Sequence, residues 1–429
     1  YVARQHGNRD APRPERRKRV MGAGPQRFDQ IKRDGGPPLE RKGGAAGARR
    51  HGGDVRDPGG APKPRALQLI EALVQHEPAW LAQHRGVLHC LVALWSTPAM
   101  QALRRTEADV LATQHRLTPL FVALLHAALR VEPLVEAYMA LLDLYPLSPS
   151  RDATHHTRFV YEQACVRADV ATKRALVQQC IQLVADPGMP TVRKTYALRV
   201  MVNPMLVMEA STERVMTPEL VQALAVQVWR QVQHGAGVYG DDELRVELLQ
   251  MSTLVLEHSA DLLAAESTTK MDAIKFGWSF LPLEDVTVKH AAYLLISRFL
   301  QRFESPLKIT GQVYVGLLRL PPNDGRGLVR RALDILVPAL PERVPSTDST
   351  SPPLWVKWTK RTLLDEGHYA LQLCTILQLI VRYADLFYPS RDLFVPHMVT
   401  SLAKLGFASG STAETKKLAI QMVDLLLQW

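Results

Sequence analysis

The segment 411–429 reads STAETKKLAIQMVDLLLQW and contains both marks of an amphipathic helix. Ser411 and Glu414 have the spacing of a capping box, in which a hydroxyl and a carboxylate satisfy unpaired N–H groups of a first helical turn. Apolar residues then recur at every third or fourth position and predict one buried face; they are Leu418, Met422, Leu425, Leu426 and Trp429. The segment therefore predicts a helix that must pack against neighbours.

The same pattern extends back to Thr217 and predicts about ten helices, without a convincing strand. This spacing gives about 42 residues per helix pair, within the range of roughly 40–47 residues for HEAT and armadillo repeats. Because one pair cannot bury its apolar face alone, successive pairs must stack. We therefore predict an all-α fold, a HEAT-like α-solenoid of stacked antiparallel helix pairs over residues 65–429. A second apolar stripe of this kind consists of Val288, Ala291, Ala292, Leu295 and Phe299.

Short polar motifs mark the expected helix starts. In a Ser/Thr-Pro pair the hydroxyl can cap the helix, and the proline stands where its missing N–H is not needed. The five pairs are Thr97-Pro98, Thr118-Pro119, Thr217-Pro218, Ser305-Pro306 and Ser351-Pro352. Proline-directed kinases modify the same dipeptide, but the positions at helix starts favour capping. The acidic pairs at 241–242 and 284–285 also stand at predicted helix N-termini, where the helix dipole favours negative charge.

The net charge of +10 comes from the start of the chain. Residues 1–65 contain 17 Lys and Arg against 7 Asp and Glu, whereas the remainder contains 35 of each. The neutral helical body is therefore not expected to bind nucleic acid directly. Residues 1–64 are rich in Arg, Gly and Pro and predict a disordered tail. Within it, Arg16-Arg17-Lys18-Arg19 is interpreted as part of a solvated segment, with a nuclear localisation signal or a phosphate-binding patch as alternatives.

The sequence contains no signal for secretion or for membrane insertion. It has no run of about 18 apolar residues that would predict a transmembrane helix, and it has no apolar region typical of a signal peptide. Cys90, Cys165, Cys180 and Cys374 are widely spaced and lie beside apolar neighbours, so we expect reduced core thiols in a cytosolic or nuclear compartment. Because the helical pattern is still running at Trp429, we interpret the chain as a fragment.

Two motifs could indicate a ligand site. Gly235–Gly240, GAGVYG, matches the dinucleotide-binding pattern, but that pattern requires a preceding strand and a helix is predicted there. We therefore interpret Gly235 as a helix C-cap. His155 and His156 are adjacent, point in different directions on a helix and cannot share a metal ion, so we expect both at the surface.

Aromatic pairs are also expected to be structural. Trp355 and Trp358 could form a stacking platform, but their leucine neighbours favour core packing, and the same holds for Phe387 and Tyr388. P-loop, nucleophile-elbow and kinase signatures are absent. The sequence therefore predicts no catalytic residue, no cofactor-binding residue and no metal ligand.

Several strings in the C-terminal two-thirds resemble the TRRAP family, and together they cover about residues 159–429. They include LRVMVNP (198–204), DAIKFGW (272–278), LEDV (283–286), KHAAYLL (289–295), QVYVGLL (312–318), RALDILVPALP (331–341), WVKW (355–358) and DLFY (385–388). Residues before Arg65 and the segment 345–353 do not resemble the family.

This resemblance implies a slice of a HEAT solenoid from a very large protein. Members of the family continue into a FAT domain and a kinase-like domain without catalytic residues, and the chain stops before either. They act as scaffolds in histone acetyltransferase coactivator complexes such as SAGA and receive transcription activators. The resemblance implies protein partners of these two kinds, a nuclear location, and no membrane or small-molecule substrate.

The sequence therefore predicts a non-enzymatic scaffold segment of a TRRAP-like coactivator subunit. One alternative is the helical regulatory arm of an active kinase of the same superfamily. A second alternative is a general HEAT transport adaptor.

Overall fold

The computed structural model describes most of the chain beyond residue 63. The described residues are 64–100, 102, 117–142, 152–209, 214–231, 240–320, 326–345, 351–408 and 410–429, all within one compact unit. Across these ranges the regular structure is helical and no strand occurs, which confirms the all-α prediction. The predicted tail, residues 1–64, lies outside the described residues except for Pro64, where the first helix begins.

Twenty-two α-helices can be assigned within the described ranges. In the first half they are α1 (Pro64–His76), α2 (Trp80–Gln83), α3 (Arg85–Trp95), α4 (Leu117–Val131), α5 (Val135–Leu141), α6 (Asp152–Tyr161), α7 (Val170–Ala185), α8 (Thr191–Ala197), α9 (Asn203–Val207) and α10 (Pro218–Leu224). In the second half they are α11 (Asp242–His258), α12 (Ala260–Ala264), α13 (Ser267–Ser279), α14 (Val286–Arg302), α15 (Leu307–Arg319), α16 (Arg326–Leu336), α17 (Leu340–Arg343), α18 (Leu354–Glu366), α19 (Ala370–Arg382), α20 (Ala384–Phe387), α21 (Val395–Gly406) and α22 (Ala413–Gln428).

Several helices extend into turns of different width. Wider π-helical turns follow α6, α8 and α10 directly, at Glu162–Arg167, Leu198–Val202 and Ala225–Trp229. The second of these joins α8 to α9 in one helical run over 191–207. Tighter 3₁₀ turns stand at Val337–Ala339 and Tyr388–Leu393.

Helix number and pairing agree with the prediction. Between 217 and 429 the described residues form ten longer helices, once the short α12, α17 and α20 are set aside. Consecutive helices pack in pairs, as α13 does with α14 and α21 with α22. Successive pairs then stack, with α11 against α14, α14 against α16, and α15 against α18. The predicted HEAT-like α-solenoid is therefore confirmed.

Helix α14 lies between two hydrophobic clusters. Leu295 and Phe299 belong to the cluster that reaches back to α1, and Ile296 and Leu300 belong to the cluster that continues to α22. The predicted stripe on this helix is fully buried. The structure adds a second buried face, because the next repeat covers the other side of the same helix.

Polar contacts between repeats recur at the repeat spacing. The paired residues are 42–48 positions apart: Arg85–Glu132, Tyr161–Met208, Arg230–Asp272, Tyr314–Thr359, Arg319–Asp365 and Asp334–Arg382. Each pair is therefore separated by about one repeat length. This agrees with the predicted period of about 42 residues.

Some of the predicted N-caps are confirmed. Thr97 Oγ1 accepts from the Met100 N–H at 3.3 Å, and Thr217 Oγ1 accepts from the Leu220 N–H at 3.3 Å. Among the acidic pairs, Asp241 and Asp285 are the capping residues of α11 and α14. These side chains satisfy N–H groups that the first helical turn leaves unpaired.

Other predicted caps were wrong by a few positions. In the last helix the cap is Thr412, which accepts from the Thr415 N–H at 3.3 Å, and not Ser411. Thr118 lies inside α4. In the remaining two pairs the helix begins later and a proline is the N-cap residue, Pro306 for α15 and Pro353 for α18. Both prolines have extended ψ angles, 135° and 150°, so the hydroxyl before them lies outside the helix.

Within the described residues, no helix is long and apolar enough to cross a membrane alone. Two consecutive helical segments, Ala370–Arg382 and Ala384–Leu393, are together long and apolar enough by length and composition, but they are bent at their junction. The two members meet at 93°, and their apolar residues belong to the second hydrophobic cluster.

Candidate functional site

The glycine motif at 235–240 lies outside the described residues except for Gly240. Its interpretation as a helix end therefore stays a prediction. The following residue, Asp241, accepts a hydrogen bond from the Glu243 N–H at 2.9 Å. It acts there as the N-cap of α11.

The histidine prediction was wrong for His156, which is only 2% exposed. His126 Nε2 and His156 Nδ1 lie 3.1 Å apart, and the His126 ring stacks on Phe159 at a centroid distance of 3.8 Å. The reason is that His156 lies on the side of α6 that faces α4. Two rings in contact do not make a metal site, and no group of three or more metal-ligating side chains occurs in the described ranges.

The aromatic and cysteine predictions are confirmed in part. Trp355 is buried against Phe387, with ring centroids 5.2 Å apart. Tyr388 is instead 44% exposed, and the Arg391 guanidinium lies 4.3 Å from its ring centroid. Cys165 and Cys180 are buried, and burial raises the pKa of both thiols to about 12. Cys90 is exposed, so the expected core position was wrong for this residue.

A cleft of about 320 Å³, which was not predicted from the sequence, opens between three neighbouring segments. It lies where α6, the run 191–207 and α11 meet. Its walls consist of Tyr161, Arg199, Asn203, Pro204, Val207, Met208, Glu247 and Gln250. Val207 is 57% exposed and Met208 is 46% exposed, so two apolar side chains at the cleft are open to solvent.

The polar wall of the cleft is held by Glu247. Its carboxylate accepts from Arg199 Nε at 2.7 Å and from Asn203 Nδ2 at 2.8 Å. Arg199 also reaches Glu243 at 3.2 Å. Glu247 and Asn203 are buried, whereas the Glu243 side chain is 69% exposed. This network fixes the run 191–207 to α11 beside the apolar opening, and it contains no free nucleophile or acid–base pair.

The strings that resemble the TRRAP family stand at packing positions. Asp272 accepts from Arg230 Nε at 2.6 Å, and Tyr314 shares a hydrogen bond of 2.7 Å with Thr359. Gly277 lies so close to Leu295 that an added Cβ would stand 3.0 Å from its Cδ2 atom. These residues are therefore explained by packing within and between helix pairs and not by a catalytic role.

Comparison with known families assigns these repeats. Residues 49–429 match the family model described as the Tra1 HEAT repeat ring region. The chain belongs to the Tra1 family. The resemblance to TRRAP proteins is thus confirmed. The family match covers more of the chain than the resemblance did, because it begins at residue 49 and not near residue 159.

Individual Tra1-family proteins give the same result. The chain is 32% identical over 371 residues to the "Probable transcription-associated protein 1" of Dictyostelium discoideum, which covers 85% of this chain and 8% of that protein. It is 36% identical over 188 residues to the "SAGA complex/NuA4 acetyltransferase complex subunit TRA1" of Saccharomyces cerevisiae, 44% of this chain and 5% of that protein. The human "Transformation/transcription domain-associated protein" is 26% identical over 384 residues, 85% of this chain and 10% of that protein. The chain therefore spans about a tenth or less of the length of these relatives.

Proposed function

We propose that this chain is a non-enzymatic scaffold segment of a nuclear transcription coactivator subunit, which helps to bring histone acetyltransferase complexes to transcription activators. The observation that carries the proposal is membership of the Tra1 family, whose yeast relative is named as a subunit of the SAGA and NuA4 complexes. The stacked helix pairs support it, because arrays of this kind present long surfaces to other proteins. Its partners are therefore acetyltransferase-complex subunits and activators, and not nucleic acid, lipid or a small substrate.

Rigid stacking is the physical basis of the scaffold. Buried hydrogen bonds such as Tyr314–Thr359 fix the register of one repeat on the next. Ion pairs on partly exposed surface, such as Arg319 with Asp365, add smaller contributions. A frame of this kind holds partner-binding surfaces at set distances without a reactive centre.

The cleft beside Val207 and Met208 is the proposed contact point for a partner segment. An amphipathic helix of an activator can place an apolar side chain there, while its polar face remains in solvent. Affinity is expected to be modest, because ordering a disordered segment costs about 2–5 kcal/mol of the interaction free energy.

Co-purification of the full-length parent protein tests the scaffold proposal. A tagged protein recovered from nuclear extract is expected to bring histone acetyltransferase activity with it. It is expected to show no phosphotransfer to protein substrates. Recovery without acetyltransferase activity contradicts the scaffold proposal, and intrinsic kinase activity favours the regulatory-arm alternative. Recovery of transport cargo in place of acetyltransferase subunits favours the adaptor alternative.

A matched pair of variants tests the cleft separately. Val207→Asp places a charge at the cleft, whereas Leu364→Asp places one on α18, and both native side chains are 57% exposed. We expect weaker capture of activator segments by the first variant and unchanged capture by the second. Equal effects of the two variants contradict the cleft assignment without affecting the scaffold proposal.

A further inference from the structure

Three arginines converge on one glutamate where α11, α14 and α16 meet. Arg298 Nη2 lies 2.9 Å from Glu257 Oε1, and Arg331 Nη2 lies 3.6 Å from Glu257 Oε2. Arg302 Nη2 donates to the main-chain oxygen of Glu257 at 2.9 Å. Within the described ranges, the Glu257 carboxylate is the one that forms ion pairs with Arg298 and Arg331, whereas Arg302 contacts the main-chain oxygen of the same residue. The cluster therefore has a surplus of two positive charges.

Burial divides the cluster into a fixed part and an open part. Arg298 is 9% exposed, and its Nη1 donates to Gln301 Oε1 at 2.7 Å, so its position is set from two sides. Burial lowers the pKa of Arg298, and the nearby Arg302 and Arg331 lower it further, whereas Glu257 raises it. Arg302 is exposed, and the Arg331 side chain is 55% exposed. The two outer guanidinium groups can therefore meet a ligand.

Two other ion-pair groups between repeats are balanced, and a third, Asp334 with Arg330 and Arg382, has a surplus of only one positive charge. Arg199 faces two carboxylates, those of Glu243 and Glu247. Arg319 likewise faces both Asp365 and Glu366. In those places the acidic groups are at least as many as the basic ones.

Helix dipoles do not account for the cluster either. Arg302 ends α14, where the terminal carbonyl groups favour a cation. Arg331 instead lies in the middle of α16, away from its last turn, where the dipole gives a cation no such stabilisation. Within the described residues, the Arg331 guanidinium forms one ion pair, with Glu257. It shares that carboxylate with Arg298, so the charge of Arg331 is only partly neutralised.

From this geometry we infer that Arg302 and Arg331, backed by Arg298, form a binding site for a phosphate monoester dianion. A guanidinium group offers a planar set of donors that matches phosphate oxygens, and hydrogen bonds between charged groups are the stronger class. A dianion neutralises the surplus of two charges. A single carboxylate would neutralise only half of it.

The distribution of charge favours one phosphate over a polyanion. The body of the chain beyond residue 65 contains equal numbers of acidic and basic residues, so its composition does not indicate an extended basic surface. A nucleic-acid backbone would need several phosphate contacts in a row to bind firmly. A phosphorylated side chain of a partner protein, or a free phosphate group, fits the local surplus.

Anisotropy with a fluorescent phosphoserine peptide of neutral flanking sequence tests this site, with inorganic phosphate as a competitor. We expect saturable binding that weakens about tenfold for each of Arg302→Gln and Arg331→Gln. Glu257→Gln removes the competing carboxylate and is expected to tighten binding several-fold. Circular dichroism and the melting temperature show whether each variant is folded.

The control is the double variant Arg158→Gln with Arg361→Gln. Both native side chains are well exposed, at 76% and 82%, and each forms an ion pair with its own helix neighbour. This variant loses two formal charges, one more than either single test variant, and is still expected to bind the peptide normally. Peptide binding much tighter than phosphate identifies a phosphoprotein ligand, and equal affinities identify a free phosphate group.

Three outcomes overturn the inference. The first is no saturable binding of either probe to the folded protein. The second is binding that the arginine variants leave unchanged, or that the control variant weakens equally. The third is a short DNA duplex that binds more tightly than the peptide with the same dependence on Arg302 and Arg331, since this indicates a polyanion site.

Discussion

Tyr314 and Thr359, 45 residues apart, share a hydrogen bond of 2.7 Å in the buried interface between α15 and α18. Thr359 Oγ1 is also 2.8 Å from the Trp355 main-chain oxygen, to which it donates. Burial raises the pKa of the Tyr314 hydroxyl well above its ordinary value, so it remains a neutral donor. The bond therefore marks the register of one repeat on the next.

The first prediction concerns the asymmetry of this pair. Tyr314→Phe removes one donor and leaves Thr359 its bond to the main chain, so we expect a loss of about 1 kcal/mol in the free energy of unfolding. Thr359→Val leaves the tyrosine hydroxyl buried without its partner, and we expect a larger loss of about 1–3 kcal/mol. Urea unfolding at neutral pH measures both. Equal losses, or a larger loss for Tyr314→Phe, contradict this account of the interface.

The second prediction concerns close contact between helices at Gly311. A Cβ added there would stand 2.9 Å from two ring atoms of Trp358, across the same interface. We expect Gly311→Ala to destabilise the protein, because an overpacking cost of about 1–3 kcal/mol exceeds the gain in helix propensity.

Gly327 on α16 is the matched control, since nothing lies within 4 Å of an added Cβ. Gly327→Ala is expected to stabilise the protein by up to about 1 kcal/mol through helix propensity. Thermal unfolding of the two variants checks the pair. The same sign of change in both would show that packing against Trp358 does not decide the result.

The third prediction separates two glutamates that contact Arg199. Glu247 is buried and holds both Arg199 and Asn203, whereas the Glu243 side chain is 69% exposed. We expect Glu247→Ala to cost about 1–3 kcal/mol, because the buried Asn203 amide loses its shorter bond and keeps only the 3.3 Å bond to the main-chain oxygen of residue 247. Glu243→Ala is expected to cost less than about 1 kcal/mol, as for other exposed ion pairs. Denaturation at low and high salt distinguishes them, and an equal, salt-sensitive loss for both is the contrary result.

The fourth prediction concerns pH and Glu209. Burial raises the pKa of this carboxyl, although N–H groups of Met216 and Val215 oppose the shift. A raised pKa means that the folded state binds the proton more tightly than the unfolded state. The carboxyl therefore favours folding at acid pH, and this contribution is lost as the pH rises through the folded pKa.

Glu209→Gln is accordingly expected to raise the free energy of unfolding at pH 7.5. The gain should shrink as the pH falls towards the usual range of glutamate, about 4.3. Urea midpoints at a series of pH values measure the difference between the two proteins. A difference that does not change with pH would mean that Glu209 acts through its shape and not through its charge.

Periodicity was sufficient to predict the helices and their pairing. The stripe on α14 could be identified because apolar side chains at every third or fourth position must face a neighbour. Thr217 was also identified from the sequence, since its hydroxyl precedes a proline directly at a helix start. Ser305 and Ser351 were predicted as N-caps by the same pattern, but they are not the capping residues. In both cases the proline before the first leucine adopts the extended conformation and moves the start by one or two residues.

Contacts across the stack could not be predicted in the same way. The burial of His156, the partnership of Tyr314 with Thr359 and the cleft beside Val207 all depend on how one helix pair is rotated on the next. A single helix stripe about 100° wide does not fix that rotation. One usable signal was present in the sequence, namely polar residues inside apolar segments about 45 positions apart.

Most of the bonds between repeats described above join two helices, but Glu257 contacts residues on two different later helices, α14 and α16. In a solenoid whose repeats contact only their neighbours, tension on the chain is expected to unfold the repeats one after another. Glu257 changes this order of unfolding, because its carboxylate links α14 and α16. Displacement of either helix therefore also disturbs the contact with the other. The segment around Glu257 should therefore yield as one mechanical block, with a larger force step than the repeats on either side.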